Sequence, residues 1–426
     1  MRWTLTSPDG LGDFLLRIPW IKAMESHGWT LQLVGRPFVL EAARLAGINA
    51  EFVSIKIGPY EKKAHLCPNP YRDELAAITK FSPDIVFFGP SCPTFFEDQL
   101  AEKITGLKTG GFIQRGIWHT QSIRDPLEIA KKHSLIVQVE SSESDALRNM
   151  KAAGCLLGKS IKLAPYRLKP QGRFEAPTFF PRGKKFLAVN VSSRDGESRR
   201  GLGENNWVRE LNDLTGQTKL PLVFIGTENE IESHRRVVSE MNGEVHCVDL
   251  TGKVKTLNEL ALIIAAAEAY IGKDCGAMHL AASLGKPVVA VFGGGTAPRF
   301  FPWGTRSVSL TNDVPCFGCD WRCHLPSPVC SEGIPEKAVF DAFKAVFQLN
   351  SEEGVVIKFP LNNAFSELLK MHPQNNLPLK MHSERKTRMI KERLDYRKPT
   401  KRILSRLLAI RDKIWRVFCP RRTTFI

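Results

Sequence analysis

The chain has 426 residues, of which 43% are hydrophobic and 24% charged, as is typical of a globular protein with room for two domains and an appendage. No stretch approaches the roughly 20 apolar residues of a membrane span, and the first residues lack the apolar core of a secretory signal. We therefore expect a cytoplasmic protein, whose ten cysteines are reduced or hold a metal rather than form a disulfide scaffold. The net charge of +16 is concentrated in residues 380–426, which hold sixteen Lys or Arg and four Asp or Glu.

The first half alternates short apolar strands with helical patterns. Strands are predicted over 3–5, 30–34, 50–55 and 84–88, and helices from Asp13, over 38–46 and over 71–79. This alternation predicts a mostly parallel, doubly wound sheet, which binds ligands beyond the carboxyl ends of its strands. The turn that ends at Gly12 lies at such an end. Asp13, the next residue, is either a helix N-cap or a functional carboxylate.

A second unit of the same kind follows a change in composition. Residues 138–154 predict an amphipathic helix, and residues 159–185 are rich in Pro, Lys and Arg. Strands are then predicted over 186–191, 222–225 and 245–250, with a helix over 257–267. The sequence therefore predicts an N-terminal domain over 1–170 and a second domain over 180–335, facing each other across a cleft.

The most informative stretch is 271–295, which predicts a strand, a turn, a small-residue helix and a buried strand. A helix N-terminus offers unpaired N–H groups and the positive end of its dipole, so it suits a phosphate group. Asp274 can cap the turn, Gly276 lets backbone approach a ligand, and His279 lies on the first helical turn. The alternative is an ordinary βαβ unit with a capped helix.

Three ordered motifs make a family resemblance specific. They are Gly12-Asp13-Phe14-Leu15 before Pro19, Gly226 with Glu230, and Asp274-Cys275-Gly276-Ala277-Met278-His279-Leu280-Ala281-Ala282-Ser283-Leu284-Gly285-Lys286-Pro287. Over roughly residues 1–350 the sequence resembles glycosyltransferase family 9, the ADP-heptose:lipopolysaccharide heptosyltransferases. The resemblance implies a GT-B fold, which is an α/β fold of two Rossmann-like domains. It also implies inverting transfer of a sugar such as heptose from an ADP-sugar to a lipid-linked lipopolysaccharide-core or related glycan, without an obligatory metal.

The resemblance also implies roles for individual residues. Asp13 is expected to be ionised at neutral pH, with a reference pKa of about 4, and to act as general base. The donor is expected to bind at Gly12, Ser193, Arg199, Arg200, Glu230, Asp274, Cys275, Gly276, Ala277, Met278 and His279. Cys275 replaces the family's Thr or Ser with a weaker donor. The family's diphosphate-binding lysine before a tryptophan is absent, and Arg194, Arg199 and Arg200 remain alternatives.

Four cysteines lie close together in the sequence. Cys316, Cys319, Cys323 and Cys330 have the spacing C-x2-C-x3-C-x6-C. They could bind structural zinc or an iron–sulfur cluster, form a disulfide or redox-labile pair, or remain free thiols. The spacing matches no standard zinc motif.

The C-terminal region lies partly outside the resemblance. Residues 336–350 predict the last helix, which in GT-B proteins packs back on the N-terminal domain, and residues 351–426 form a basic tail. Apolar residues at helical spacing over 401–418, surrounded by Lys and Arg, predict an amphipathic helix suited to an anionic membrane surface. We therefore expect a peripheral protein at the inner face of the cytoplasmic membrane. A helix docked on protein and a disordered tail are alternatives, whereas nucleic-acid binding has no accompanying motif.

Two further functions are compatible with the sequence. One is a non-catalytic nucleotide-binding or scaffold protein that keeps the fold with a degenerate site, since Cys275 and the long arginine loop depart from the family. The other is a nucleic-acid-associated protein recruited through its tail. The sequence leaves the donor sugar, the acceptor and the oligomeric state undetermined.

Overall fold

The computed structural model of the protein describes residues 1–115, 130–140, 142–174, 185–192, 202–243, 245–295, 297–314, 325 and 328–361. Its first strand shows how the sequence builds the sheets. From Trp3 to Ser7 every residue of that strand is buried, which is typical of a parallel strand covered by helices on both faces. Helices on both faces also explain why the apolar runs of the sequence are continuous rather than alternating.

The first sheet and its helices form lobe 1, residues 1–157. Its strands are β1 (Arg2–Ser7), β2 (Thr30–Gly35), β3 (Ala50–Ser54), β4 (Ile85–Phe88), β5 (Thr109–Arg115) and β6 (Leu135–Glu140). Its helices are α1 (Leu11–Ser26), α2 (Pro37–Leu45), α3 (Lys62–Leu66), α4 (Arg72–Phe81), α5 (Phe95–Lys103) and α6 (Asp145–Leu157). The strands are parallel, in the order β3-β2-β1-β4-β5-β6.

The second sheet and its helices form lobe 2, residues 187–359. Its strands are β7 (Leu187–Asn190), β8 (Leu222–Phe224), β9 (Cys247–Asp249), β10 (Ala269–Lys273), β11 (Val288–Val291), β12 (Ser307–Asn312) and β13 (Gly354–Phe359). Its helices are α7 (Glu204–Thr218), α8 (Ile231–Glu240), α9 (Leu257–Ala266), α10 (Gly276–Ser283) and α11 (Ala338–Val346), and a 3-10 turn covers Glu228–Glu230. The order β13-β12-β11-β10-β7-β8-β9 is again parallel throughout.

Each sheet changes winding direction at one point. In lobe 1 that point lies between β1 and β4, and in lobe 2 between β7 and β10, because these neighbours are not consecutive in the chain. Doubly wound sheets bind ligands beyond the carboxyl ends of the strands at such a point. The expectation of two doubly wound parallel sheets is thus confirmed, and each lobe has one position where a ligand crevice is expected.

The lobes share a continuous apolar core. The buried cluster that contains Phe14 and Leu15 of α1 also contains Met278 and Leu280 of α10. A hydrogen bond of 2.7 Å from the Leu257 backbone N–H to the Glu41 carboxylate also joins the lobes. Lobe 1 and lobe 2 therefore meet along the helices that follow β1 and β10.

Two of the predictions about helices are wrong. Residues 138–140, predicted to start a helix, are instead the end of strand β6. Helix α11 packs on lobe 2, not on lobe 1: Val339 and Val346 are buried with Trp207 and Leu211 of α7. The backbone N–H of Val339 also donates to the Glu210 carboxylate at 3.0 Å.

The start of the supposed tail is likewise part of the fold. Residues 354–359 form β13, which pairs with β12 along its whole length. Strand β13 is half-exposed and alternates in burial, as an edge strand with one covered face does. Because β13 adds to the second sheet, the helix before it is held against that same sheet. The amphipathic pattern over 401–418 lies outside the described residues.

Candidate functional site

The helix tip predicted to bind phosphate lies at the carboxyl end of β10. Strand β10 is buried up to Lys273, and helix α10 begins at Gly276 after an extended N-cap residue, Cys275. The N-cap is therefore Cys275 and not Asp274, which is buried just before it. As at any helix start, the first-turn N–H groups have no carbonyl of a preceding turn to donate to.

Opposite this tip lies the turn between β1 and α1. A Cβ atom placed on Gly276 would lie 3.3 Å from Cβ of Leu11, and one on Gly12 would lie 2.5 Å from Cδ2 of His279. Gly12 is therefore required for the helices to approach this closely, and any larger residue at Gly276 would be in tight contact with Leu11. The structure thus brings together Gly12 and Asp13 of lobe 1 with Gly276 and His279 of lobe 2.

The two carboxylate oxygens of Asp13 have different neighbours. Oδ2 accepts a hydrogen bond of 3.1 Å from the Gly10 backbone N–H, so Asp13 does contribute to the helix start. Oδ1 lies 4.0 Å from Nη2 of Arg299, and the side chain keeps 20% of its surface exposed. One oxygen is therefore structural, and the carboxylate remains accessible.

The protonation of Asp13 differs from the expectation. Burial and, next, the negative charge of Asp9 raise its pKa, while Arg17 and Arg299 act in the opposite direction, and the net result is a pKa of about 7. Asp13 is therefore not fully ionised at neutral pH, because desolvation disfavours its charged form. A general base works best with a pKa near the operating pH, so this shift suits proton transfer.

The neighbouring Asp9 has a dedicated partner. Arg17 of α1 donates from Nη1 and Nη2 to the two Asp9 oxygens at 2.6 and 2.5 Å, and from Nη1 to Oγ of Ser7 at 2.7 Å. All three side chains are buried. The guanidinium of Arg17 is thus engaged in bracing the turn after β1, which fixes the start of α1.

His279 is a neutral donor rather than a cation. Burial lowers its pKa to about 4, so the imidazole carries no charge at pH 7. Its Nδ1 is buried and has no hydrogen-bond partner among the residues that the structure describes. The expectation that His279 adds to phosphate binding is thus limited to hydrogen bonding.

The crevice of lobe 2 contains a lysine that the sequence reasoning missed. Lys273 ends β10 and is only 3% exposed, and burial lowers its pKa to about 8. The nearby charges of Glu204 and Glu230 oppose this effect. A lysine at the carboxyl end of a strand beside the switch point is a recognisable signal, but the family motif directed attention to the loop over 192–201.

Glu230 is held by protein groups on both oxygens. Oε2 accepts from the Thr227 backbone N–H at 2.6 Å and from its hydroxyl at 3.0 Å, and Oε1 accepts from Nδ2 of Asn190 at 3.3 Å. Thr227 and Glu230 therefore form a capping box at the start of this helical turn. Glu230 nevertheless lies at the carboxyl end of β8, beside Asn190 at the end of β7.

Cys275 is a protonated thiol at the entrance of the helix. Burial raises its pKa to about 11, and its Sγ lies 3.1 Å from the hydroxyl oxygen of the buried Tyr270. A thiolate is therefore not available here at neutral pH. The replacement of a family hydroxyl by Cys275 leaves a weak donor beside the helix tip.

Several predicted site residues fall outside the described part of the chain: Ser193, Arg194, Arg199, Arg200, Cys316, Cys319 and Cys323. Cys330 is described and buried at the start of the segment before α11. In the described ranges, no group of three or more His, Cys, Asp or Glu side chains is placed to hold a metal ion. None of the described helices combines the length and the hydropathy that crossing a membrane demands.

A buried histidine holds the chain just after the end of β7. Nε2 of His234 accepts hydrogen bonds of 3.2 Å from the backbone N–H groups of Val191 and Ser192, and its Nδ1 lies 2.7 Å from Oγ1 of Thr251. Burial lowers the pKa of His234 to about 4, which keeps the ring neutral and able to accept. This histidine therefore fixes the position of Val191 and Ser192 at the carboxyl end of β7.

Two solved glycosyltransferase structures have a similar fold. A solved family 9 glycosyltransferase of Veillonella parvula matches with a TM-score of 0.65 over 82% of this chain and 97% of that one, at 16% identity. The solved E. coli ADP-heptose lps heptosyltransferase II matches with a TM-score of 0.54 over 82% and 99%, at 12% identity. Two doubly wound lobes with their switch points facing each other are the GT-B fold, as expected.

The sequence matches agree with this class. Residues 136–323 match the model for "Glycosyltransferase family 9 (heptosyltransferase)". Lipooligosaccharide heptosyltransferase 2 of Campylobacter jejuni is 28% identical over 190 residues, which are 43% of this chain and 56% of that protein. The chain thus spans about half the length of this curated relative. Lipopolysaccharide heptosyltransferase 2 of E. coli is 32% identical over 83 residues, 19% and 23% of the two chains. Residues 136–323 are thus similar in sequence to glycosyltransferase family 9, and the fold of the whole is the one that solved members of that family have.

Proposed function

We propose that the protein is an inverting glycosyltransferase that transfers a sugar from an ADP-sugar to a glycan acceptor. One observation carries the proposal: the Asp13 carboxylate of lobe 1 and the N-terminus of α10 in lobe 2 lie on directly contacting elements. A base and a phosphate-binding helix tip are the two groups that such a transfer requires. The names of the relatives support heptose as the sugar, ADP-heptose as the donor and a lipopolysaccharide-type core as the acceptor.

The acceptor side of the reaction falls to Asp13. In a single displacement, an acceptor hydroxyl attacks the anomeric carbon, its proton passes to Asp13, and the bond to the donor phosphate oxygen breaks. With a pKa of about 7, Asp13 is unprotonated in a large fraction of molecules at neutral pH and is a better proton acceptor than an ordinary aspartate. A single displacement inverts the configuration at the sugar carbon.

The leaving side falls to lobe 2. The departing diphosphate gathers negative charge, which the N–H groups of Gly276, Ala277 and Met278 and the helix dipole stabilise. The buried ammonium group of Lys273 adds positive charge at the end of the same strand that leads into this helix. Arg194, Arg199 and Arg200, which lie outside the described residues, are further candidates for binding the diphosphate.

The carrier of the acceptor is proposed to bring the enzyme to the membrane. Residues 380–426 supply a strong excess of positive charge, which attracts anionic lipid headgroups at about 1 kcal/mol for each Lys or Arg near the surface. Removal of residues 380–426 should abolish sedimentation with anionic vesicles and leave ADP binding unchanged. Unchanged sedimentation would contradict the membrane assignment without affecting the enzymatic one.

The enzymatic proposal is tested with Asp13→Asn in the full-length chain. Asn keeps the shape of the side chain but cannot take the proton, so transfer from an ADP-sugar should fall about 10²–10⁴-fold. ADP binding, measured by calorimetry, should be retained. Asp73→Asn, at a half-exposed surface ion pair with Lys56, is the matched control and should keep full transfer. Transfer that survives Asp13→Asn would remove Asp13 from the base role, and a wild-type protein that binds no nucleotide would favour the scaffold alternative.

A further inference from the structure

An ion pair joins the two lobes directly beside Asp13. Asp145 is the first residue of α6 in lobe 1, and Arg299 lies in the loop after β11 of lobe 2. Nε of Arg299 donates to Oδ1 of Asp145 at 2.6 Å, and Nη2 donates to Oδ2 at 3.3 Å. The Asp145 backbone N–H also donates to the Arg299 carbonyl oxygen at 3.0 Å. Three bonds therefore fix this arginine relative to lobe 1.

The same guanidinium faces the proposed base. Its Nη2 lies 4.0 Å from Oδ1 of Asp13, the oxygen that does not cap α1. Its other side is covered by the ring of Phe300, whose centroid lies 4.5 Å from the guanidinium carbon. The Arg299 side chain is 19% exposed and that of Asp145 is 4% exposed, so solvent screens the pair weakly.

Two cations lower the pKa of Asp13: Arg17 of its own lobe and Arg299 of lobe 2. Arg17 donates to both oxygens of Asp9, and Arg299 donates to both oxygens of Asp145. Arg299 differs from Arg17 in that it belongs to the opposite lobe. The charged and titratable groups that face Asp13 from the surrounding elements are Asp9, Arg17, Tyr60, Asp145, His279 and Arg299. Asp9, Asp145 and His279 are buried, and none of them carries a positive charge that would stabilise an ionised Asp13. The charge state of Asp13 therefore depends on where Arg299 is held.

We propose that Arg299, held by Asp145, is a positioning residue that sets the charge of the base Asp13 through contact between the lobes. The inference rests on the proposed role of Asp13 as base. It adds that the base is complete only when lobe 2 supplies its cation, because Asp13 and Arg299 belong to different lobes. Separation of the lobes would leave Asp13 with Asp9 nearby and with one opposing charge fewer.

The test is the pH dependence of transfer in the full-length variant Arg299→Gln. This substitution removes the guanidinium charge beside Asp13, while Asp145 keeps a buried counter-ion in Arg148, whose Nε lies 3.8 Å from its Oδ1. An opposite charge within about 4–6 Å lowers a carboxyl pKa by 1–3 units, so its loss should move the limb of kcat/KM that rises with pH upward by about one pH unit. Transfer should fall at pH 6.5 and recover at pH 9.

Two comparisons separate this effect from a structural one. Arg299→Lys keeps the charge and should leave the limb close to that of the wild type, even if the rate falls at all pH values. Arg209→Gln removes an arginine that pairs with Glu336 at 3.5 Å on the surface, and should change nothing. An Arg299→Gln variant that loses transfer equally at every pH, with an unmoved limb, would overturn the proposal and leave the pair as a mechanical contact between lobes.

A second readout does not depend on transfer. The carboxyl carbon of Asp13, assigned in ¹³C NMR spectra by its loss in Asp13→Asn, should titrate about one pH unit higher in Arg299→Gln than in the wild type. An unchanged titration overturns the inference. If the Asp13 titration moves but wild-type transfer is absent or survives Asp13→Asn, the proposed function fails while the electrostatic coupling stands.

Discussion

The two crevice edges that face each other differ in how they treat charge. In lobe 1 the turn after β1 holds a buried carboxylate, Asp9, and a partly exposed one, Asp13, and only Asp9 has a direct ion-pair partner on its own lobe. In lobe 2 the corresponding edge has a buried lysine and histidines that burial keeps neutral. The proposed proton acceptor, with a pKa of about 7, thus lies on one side, and the groups proposed to bind the diphosphate lie on the other.

The difference teaches that neither edge is a complete site alone. Lobe 2 brings the cation Arg299 to 4.0 Å from Asp13, and the helix tip of α10 is closed on one side by Leu11 of lobe 1. Both interactions depend on the close approach of α1 and α10. Changes that separate these helices should therefore disturb both edges at once.

The largest effect is expected from Gly12→Ala. The added Cβ would lie 2.5 Å from Cδ2 of His279, in the rigid part of the ring, so the helices must move apart. A misplacement of about 1 Å can cost about 10²-fold in rate, and we expect a loss of transfer of that order. Gly216→Ala, with nothing within 4 Å of its added Cβ, is the control and should stabilise α7 by about 0.5–1 kcal/mol. Equal transfer by the two variants would contradict the close approach.

A smaller effect, on stability, is expected from His234, the neutral histidine beside the end of β7. His234 has a reference pKa of 6.5 and a pKa of about 4 in the folded protein. The unfolded chain therefore binds more protons between these values, and stability is lost as the pH falls below 6.5. By pH 5 the loss should be about 2 kcal/mol, and it should be absent in His234→Asn. Urea unfolding at pH 7.5 and pH 5 measures it; a stability difference between the two proteins that does not change with pH would contradict a neutral buried ring.

The smallest effect on function is expected from Lys273→Met, which should increase stability and weaken ADP binding. Burial of the charge lowers the pKa of Lys273 to about 8, so below pH 8 the ammonium group costs stability that Met does not. The variant should be more stable than the wild type at pH 7, and this advantage should shrink as the pH rises toward 10. ADP affinity should fall about tenfold, since a charge-assisted contact is lost. Lys255→Met, at an exposed lysine, is the control, and unchanged ADP affinity in Lys273→Met would exclude the contact.

Local patterns were sufficient for much of the fold and for the contacting pair of turns. The strand–turn–helix signals around Asp13 and Gly276 are short-range, and parallel topology then brings the carboxyl ends of strands to one edge. The partnership of Asp145 with Arg299 spans 154 positions and carries no local signal, so only the structure reveals it. The raised pKa of Asp13 is equally non-local, because burial and Asp9 produce it.

The C-terminal helix illustrates the opposite failure. A family expectation placed residues 336–350 on lobe 1, whereas the apolar face of α11 continues the core of lobe 2. The hydrophobic pattern of a helix says that a face is buried but not against which neighbour. Strand β13 lies where the sequence predicts the start of a basic tail. Because it extends the second sheet, it keeps the helix before it on lobe 2.

The most direct test of the shared site is a crystal structure of the full-length protein with ADP bound. The account expects the diphosphate within about 2.7–3.2 Å of the backbone nitrogens of Gly276 to Met278, with the Asp13 carboxylate facing it across the gap between the lobes. ADP bound away from the start of α10, or lobes that hold Asp13 and the diphosphate without a common cavity, would contradict it.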